Sequence, residues 1–314
     1  MIAPLIVPRR LAIGDEVALV APASPVLNAR LLALGRERLE QLGLRVNPGR
    51  HALTERGYLA GTDRQRLHDL ESAFRNPRIK AIFCARGGYG VSRFLSSFDP
   101  ELARRHPKPL VGFSDITVLH LALQNAGIVS FWGPMPCTSL GWSAFSARSL
   151  ERALMSAAPA GRVPFSPRRR AATLRRGIAQ GALTGGTLTL LTASLGTPYE
   201  VETRGRIVFL EDVDEEPFKV DRMLAQLTAA GKLLDAAGVV LGIFTGTRVS
   251  NCPARRSLTM REVFADHLLP LRVPVLGHVA VGHVRDQVTL PYGVQARMNA
   301  GARTLEILEA GVRE

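Results

Sequence analysis

The first 140 residues alternate short β-rich runs with amphipathic helical patterns, and a chain built this way packs as a parallel sheet covered by helices. Glu16 to Ala21 (EVALVA) reads as a strand ended by Pro22, after which Leu32, Leu39 and Leu42 share a helical face that Gly43 stops. Arg78 to Ala85 (RIKAIFCA) is a second buried strand, breaking into Arg86-Gly87-Gly88-Tyr89-Gly90. Pro109 to Phe113 is a third, followed by helical character from Asp115 to Ala126 and a stop at Gly127. Between them Leu67, Leu70 and Phe74 stand at i, i+3, i+7 within Asp63 to Phe74, the spacing of a helix that packs one face.

A chain of 314 residues exceeds the usual span of one core, so two domains are expected. The pattern dissolves into Ser, Ala, Pro and Arg after Leu140. We therefore expect a domain over 1–140, an Arg/Pro-rich linker over 141–176 and a second mixed α/β domain over 177–314. The second domain shows strands at Arg206 to Leu210, Ala237 to Phe244 and Val273 to Leu276, and an amphipathic helix from Phe218 to Ala230. Three cysteines (Cys84, Cys137, Cys252) form no C-x-x-C pair, which argues against redox and structural zinc roles. Apolar runs stop far short of the roughly 18 residues of a membrane span. The apolar start precedes Arg9 and Arg10, the reverse of a secretory signal, and predicts a cytoplasmic protein.

Basic residues outnumber acidic ones 40 to 27, and 36 of the 40 are arginine. Such charge raises a nucleic-acid or nucleotide-binding reading. Seven arginines and no acid lie between Arg152 and Tyr199, yet Arg168-Arg169-Arg170 and Arg175-Arg176 have no interleaved aromatic for base stacking. A solvated linker or an anion-attracting rim is the simpler account, and salt-dependent DNA binding without peptidase activity is what would favour the other.

In an open α/β sheet the chemistry collects beyond the carboxyl ends of the strands. Ser114 stands there, between the run Leu110 to Phe113 and a helix, with Gly112 two residues before it as in a nucleophile elbow. Ile116 replaces the second glycine of that motif, and Ser114 or Asp115 as a plain helix cap is the competing account. A serine nucleophile needs a base and a carboxylate to orient the base. Of seven histidines, His278 and His283 each follow a glycine just past the strand Val273 to Leu276; no H-E-x-x-H helix or Cys/Asp set accompanies them for a metal. Glu211 is the first acid after the buried run Ile207 to Leu210. Backbone N–H groups of Asp115 and of Gly87 or Gly88 are candidates for an oxyanion hole. Cys84 is a rival nucleophile but lies in an apolar run.

With these pieces in place the chain resembles the LD-carboxypeptidase family of serine peptidases, the muramoyl-tetrapeptide carboxypeptidases and their microcin-immunity relatives. The likeness is carried by Gly14-Asp15-Glu16 through Pro25, Tyr58 to Asp63, Ile82 to Gly90, Gly112 to Thr117, Phe209 to Asp212, Asp221 to Leu224 and Gly282-His283, in that order. The resemblance implies Ser114 as nucleophile, His283 as general base and Glu211 as its orienting carboxylate. It also implies a flavodoxin-like nucleophile domain, a smaller C-terminal α/β domain, a homodimer, and neither metal nor other cofactor. The implied reaction is hydrolysis of the amide between the L-centre of a diamino acid and a terminal D-alanine in a murein tetrapeptide, as in peptidoglycan recycling. Arg86 or Arg222 is expected to meet a substrate carboxylate. The same family contains amidases that cleave an aminoacyl-nucleotide analogue, a reading that would need an aromatic such as Trp142 to stack the base.

Overall fold

The computed structural model describes residues 5–138, 142–249 and 256–314. Cys252 and the expected boundary at 140/141 lie outside the described residues. Two compact units emerge. Unit 1 runs to Ala160 and adds Arg285–Val294 and Glu309–Glu314; unit 2 comprises Gly161–Val284 and Gln295–Leu308.

Unit 1 contains, in chain order, β1 (Glu16–Val20), α1 (Ala29–Glu40), β2 (Arg45–Pro48), α2 (Asp63–Arg75), β3 (Ile79–Cys84), α3 (Val91–Phe94), α4 (Pro100–Arg105), β4 (Leu110–Gly112), α5 (Thr117–Asn125), β5 (Phe131–Trp132) and α6 (Ala144–Met155). Strands β1, β3 and β4 are almost wholly buried, which is why they read as continuous apolar runs rather than as alternation. The helix α2 starts on a capping box in which Thr62 and Gln65 satisfy each other's backbone N–H groups, and it buries Leu70, Ala73 and Phe74. The parallel strands lie in the order β5-β4-β3-β1-β2. This is the doubly wound order whose direction reverses between β1 and β3, and the crevice beyond those two strands is where such sheets take ligands.

Unit 2 contains β6 (Gly161–Arg162), β7 (Ala172–Arg175), β8 (Ile178–Thr187), α7 (Leu188–Ala193), β9 (Ile207–Glu211), α8 (Pro217–Ala229), β10 (Gly238–Leu241), α9 (Met260–Leu268) and β11 (Val275–Gly277). The chain then gives β12 (Leu290–Pro291), antiparallel to β5 of unit 1, before β13 (Gln295–Asn299) and β14 (Thr304–Ile307) finish unit 2. The unit 2 sheet has the order β6-β14-β13-β8-β9-β10-β11-β7, with β8 to β11 parallel and both flanks antiparallel. The two-unit mixed α/β architecture agrees with the expected fold class.

The expected linker over 141–176 holds regular structure instead. Ser143 caps α6, whose Leu150, Ala153 and Leu154 at i, i+3, i+4 are buried; Ser, Ala and Arg around them hide that stripe in the composition. The arginine-rich stretch then enters the unit 2 sheet as β6 and the edge strand β7, with Arg175 donating to the Leu269 carbonyl. The helix expected from Asp115 begins as a 3-10 turn over Ser114–Ile116, because Ser114 adopts a left-handed backbone that no α-helix accommodates.

Candidate active site

At the carboxyl edge of the unit 1 sheet, the turn after β4 presents Ser114 with φ of 63°, half-buried at the mouth of the helical segment that continues into α5. A left-handed serine costs energy on the order of 1–2 kcal/mol and persists only where surrounding packing fixes it. Gly112 supplies that packing: a Cβ there would stand 2.9 Å from Ile116 Cγ1 and 3.1 Å from Cys84 Cβ. Ile116, at the place where the elbow motif has its second glycine, thus fills the space Gly112 leaves. From β3, Gly87 comes so close that a Cβ would lie 2.8 Å from Ser114 Cβ, 3.0 Å from its Oγ and 3.4 Å from the Asp115 nitrogen.

The β3 loop is fastened to the β1 loop on the other side of the crevice. Ser24 donates its N–H to the Gly87 carbonyl at 3.2 Å, and its Oγ accepts from the Tyr89 N–H at 3.2 Å. Gly88 has φ of 109°, and any Cβ there would overlap Ser24 Oγ. Asp115 is buried and turns away from the crevice, accepting the Val91 N–H on Oδ2 at 2.8 Å; burial pushes its carboxyl up to about 6 against the opposing pull of that N–H and of Arg66.

In unit 2, β9 ends on Glu211, which is fully buried. Its Oε2 is 3.0 Å from His283 Nδ1, and its Oε1 accepts the Thr187 hydroxyl at 2.6 Å. Gly282 and Gly242 make the approach possible: a Cβ on the first would lie 3.2 Å from Glu211 Oε2, and on the second 3.0 Å from Glu211 Cβ. Burial alone would lower the His283 imidazole, but the hydrogen bond and charge of Glu211, with the charges of Asp212 and Asp214, outweigh it and hold His283 above its ordinary value. With Nδ1–H donated to Glu211, the acceptor nitrogen of the ring is Nε2, the tautomer a general base needs. Beyond Glu211 in the chain, Asp212 accepts from the N–H and hydroxyl of Thr189 and from the Val213 N–H, and Glu215 pairs with Lys219 at 3.7 Å.

The remaining candidates separate cleanly. Cys84 is fully buried and its thiol is pushed well up by burial, so it is a core residue. His120 is buried between Ser130 Oγ at 2.8 Å and the Gly112 carbonyl at 2.9 Å, and burial pushes it down to about 4. His278 is exposed, with Nδ1 3.2 Å from the Arg170 carbonyl. Arg86 donates to the Pro25 carbonyl at 3.2 Å, while Arg222 is exposed on α8 with its guanidinium 5.9 Å from the Phe218 ring.

Residues 17–133 match the model of the LD-carboxypeptidase N-terminal domain, and 180–298 that of the C-terminal domain. The chain is 41% identical to the probable murein peptide carboxypeptidase of Bacillus subtilis, covering 98% of this chain and 95% of that one. The chain belongs to the LD-carboxypeptidase family. It is also 36% identical to the murein tetrapeptide carboxypeptidase of Pseudomonas aeruginosa, over 90% of this chain and 93% of that protein. In fold it matches MccF, solved in complex with glutamyl sulfamoyl guanosine, with a TM-score of 0.88 and 22% identity over 98% and 99% of the two chains.

Within this LD-carboxypeptidase, two polar residues that the sequence did not single out support the edges described above. Thr187 ends β8, whose glycine-rich sequence conceals a strand, and its hydroxyl is the second anchor of Glu211. Arg66 on α2 is 1% exposed; its guanidinium donates to the Pro22 carbonyl at 2.6 Å and the Gly90 carbonyl at 2.7 Å and pairs with Asp63, tying the β1 and β3 loops together. Only its place in an amphipathic pattern was visible: a lone arginine among the buried positions of α2.

Proposed function

We propose that this protein hydrolyses the amide linking the L-centre of a diamino acid to the terminal D-alanine of murein tetrapeptides, with Ser114, His283 and Glu211 as its catalytic triad. The observation that carries the reading is the buried Glu211 carboxylate holding Nδ1 of His283 at 3.0 Å. The names of the two curated relatives supply the substrate class.

In the proposed reaction Ser114 Oγ attacks the amide carbon while His283 Nε2 takes its proton, and Glu211 stabilises the imidazolium. The C–N bond then breaks as His283 returns the proton to the leaving amine. Water, deprotonated by His283, attacks the resulting ester, freeing the shortened peptide and restoring the serine. The oxyanion is met by the Asp115 N–H and one from Gly87 or Gly88, and Arg86 or Arg222 meets the substrate carboxylate. The whole protein works in the cytoplasm on recycled muropeptides, as a homodimer.

The direct test is mass spectrometry of the products from disaccharide-tetrapeptide and disaccharide-pentapeptide. Loss of one alanine from the tetrapeptide alone is expected; an untouched tetrapeptide overturns the assignment. An aminoacyl sulfamoyl nucleotide in a parallel reaction tests the amidase alternative, for which Trp142, with the Arg38 guanidinium 5.8 Å from the centre of its ring, is the candidate aromatic.

Two variants probe the supports. Thr187→Val removes a hydrogen bond to a buried carboxylate worth about 1.5–3 kcal/mol, so kcat should fall roughly 10- to 100-fold with KM little changed. Steady-state kinetics checks it, and Thr187→Ser should restore most of the loss. Gly87→Ala forces a methyl against Ser114, and kcat should fall by at least about 10²-fold, as when an oxyanion donor is displaced, while the folded fraction in circular dichroism stays close to wild type.

A further inference from the structure

We propose that His51, His68 and Asp69 form a binding site for one divalent ion of the zinc class. His51 stands in the turn after β2, while His68 and Asp69 are neighbours on α2. One ligand atom from each lies within 4.8 Å of the others.

The geometry is close to what the ion requires. Asp69 Oδ1 is 2.8 Å from His51 Nδ1 and 3.6 Å from His68 Nδ1. A tetrahedral zinc with nitrogen and oxygen ligands at about 2.0–2.1 Å separates neighbouring donors by about 3.3 Å, so these spacings bracket the ideal. Asp69 is also fixed in the manner of a metal ligand. Its Oδ2 accepts the His51 backbone N–H at 2.7 Å, and Gly49 closes over that oxygen, where a Cβ would stand 2.6 Å away. One oxygen is thereby pinned and the other is turned to the imidazoles. A hydrogen bond from His51 alone accounts for two of the three groups; the second imidazole aimed at the same buried oxygen is what that account leaves over. His68 is exposed and lines, with Asp69, a small cavity of about 160 Å³ that also receives Asn47 and Ser72, leaving room for a water as fourth ligand.

Ligation would clamp the β2 turn to α2, and because the unfolded chain offers no such cluster, metal binding adds to stability. The site makes no use of Ser114, Glu211 or His283, so it stands or falls independently of the proposed reaction.

The test uses full-length, tag-free protein stripped with a chelator. Zn²⁺ is titrated in competition with a chromophoric chelator, and Co²⁺ is followed by its d–d absorption. One equivalent should bind, with a saturable rise in Tm. His68→Ala, chosen because an exposed side chain is removed without disturbing the fold, should weaken binding at least about 10- to 100-fold, as should His51→Ala, while His283→Ala should bind as wild type does. No stoichiometric binding by the stripped protein, or equal affinity in wild type, His51→Ala and His68→Ala, would overturn the proposal.

Discussion

Replacing Ser114 by alanine should lower turnover of a murein tetrapeptide by about 10⁶-fold, the loss seen when the nucleophile of a triad acting as a unit is removed. The size follows from the chemistry: without Oγ no acyl-enzyme forms, and His283 can at best activate water at a site shaped for a serine. Stability should hardly change. Alanine keeps the Cβ that packs beside Gly87 and bears the same left-handed backbone cost as serine, and the lost hydroxyl is half-exposed. The melting transition should therefore remain within about 0.5 kcal/mol of wild type, a typical surface-substitution effect. Intact-mass analysis after treatment with an organophosphorus serine reagent gives a second readout: wild type gains one adduct and the alanine variant none. A residual rate within about 10²-fold of wild type would assign the nucleophile elsewhere.

Glu211→Gln should cost about 10⁴-fold in kcat and at the same time move the pH dependence, a combination that a merely structural lesion does not give. The glutamine can still accept from Thr187, but its NH₂ then faces His283 Nδ1. That nitrogen must become the acceptor, so the ring proton moves to Nε2, where the mechanism needs a lone pair. The sign of the pH shift is fixed by electrostatics. In the proposed reaction the base works as neutral imidazole, so kcat/KM should fall as pH drops through the His283 pKa, which Glu211 holds above its ordinary value of about 6.5. Removing the carboxylate's charge lets the imidazole titrate lower, and the acid limb should move to lower pH. Stability follows the same linkage: with the folded value raised, the pair's contribution is complete below the unfolded pKa and is lost as pH rises through the folded one. Chemical denaturation across that range should show the slope in wild type and its absence in Glu211→Gln. A variant whose acid limb stays in place would disconnect Glu211 from the base.

Much of the candidate site was legible because its residues terminate elements. Ser114 follows a buried strand, Glu211 ends one, and His283 follows a glycine past another, positions where a polar residue interrupts an apolar run. The sequence was mute where polar composition masked structure. The α6 stripe of Leu150, Ala153 and Leu154 is too sparse to stand out among serines and arginines, and β8 holds three glycines yet is a strand with residues buried on both faces. The arginine-rich stretch looked like a linker because edge strands such as β7 draw their stability from pairing with a distant partner, here β11, rather than from local propensity.

Sequence alone determined the alternation of strands and helices, hence the parallel sheets, and the family of the chain, since apolar periodicity and ordered motifs are local properties of the residues. Tertiary structure decided what depends on distance. It set His283 Nδ1 against Glu211 while leaving His278 exposed, recruited Thr187 and Arg66, and gathered His51, His68 and Asp69 into one cluster. Side-chain chemistry acts over about 3 Å, and residues 72 positions apart, as Glu211 and His283 are, come within that range only when a folded sheet and its close-packed glycines bring them there.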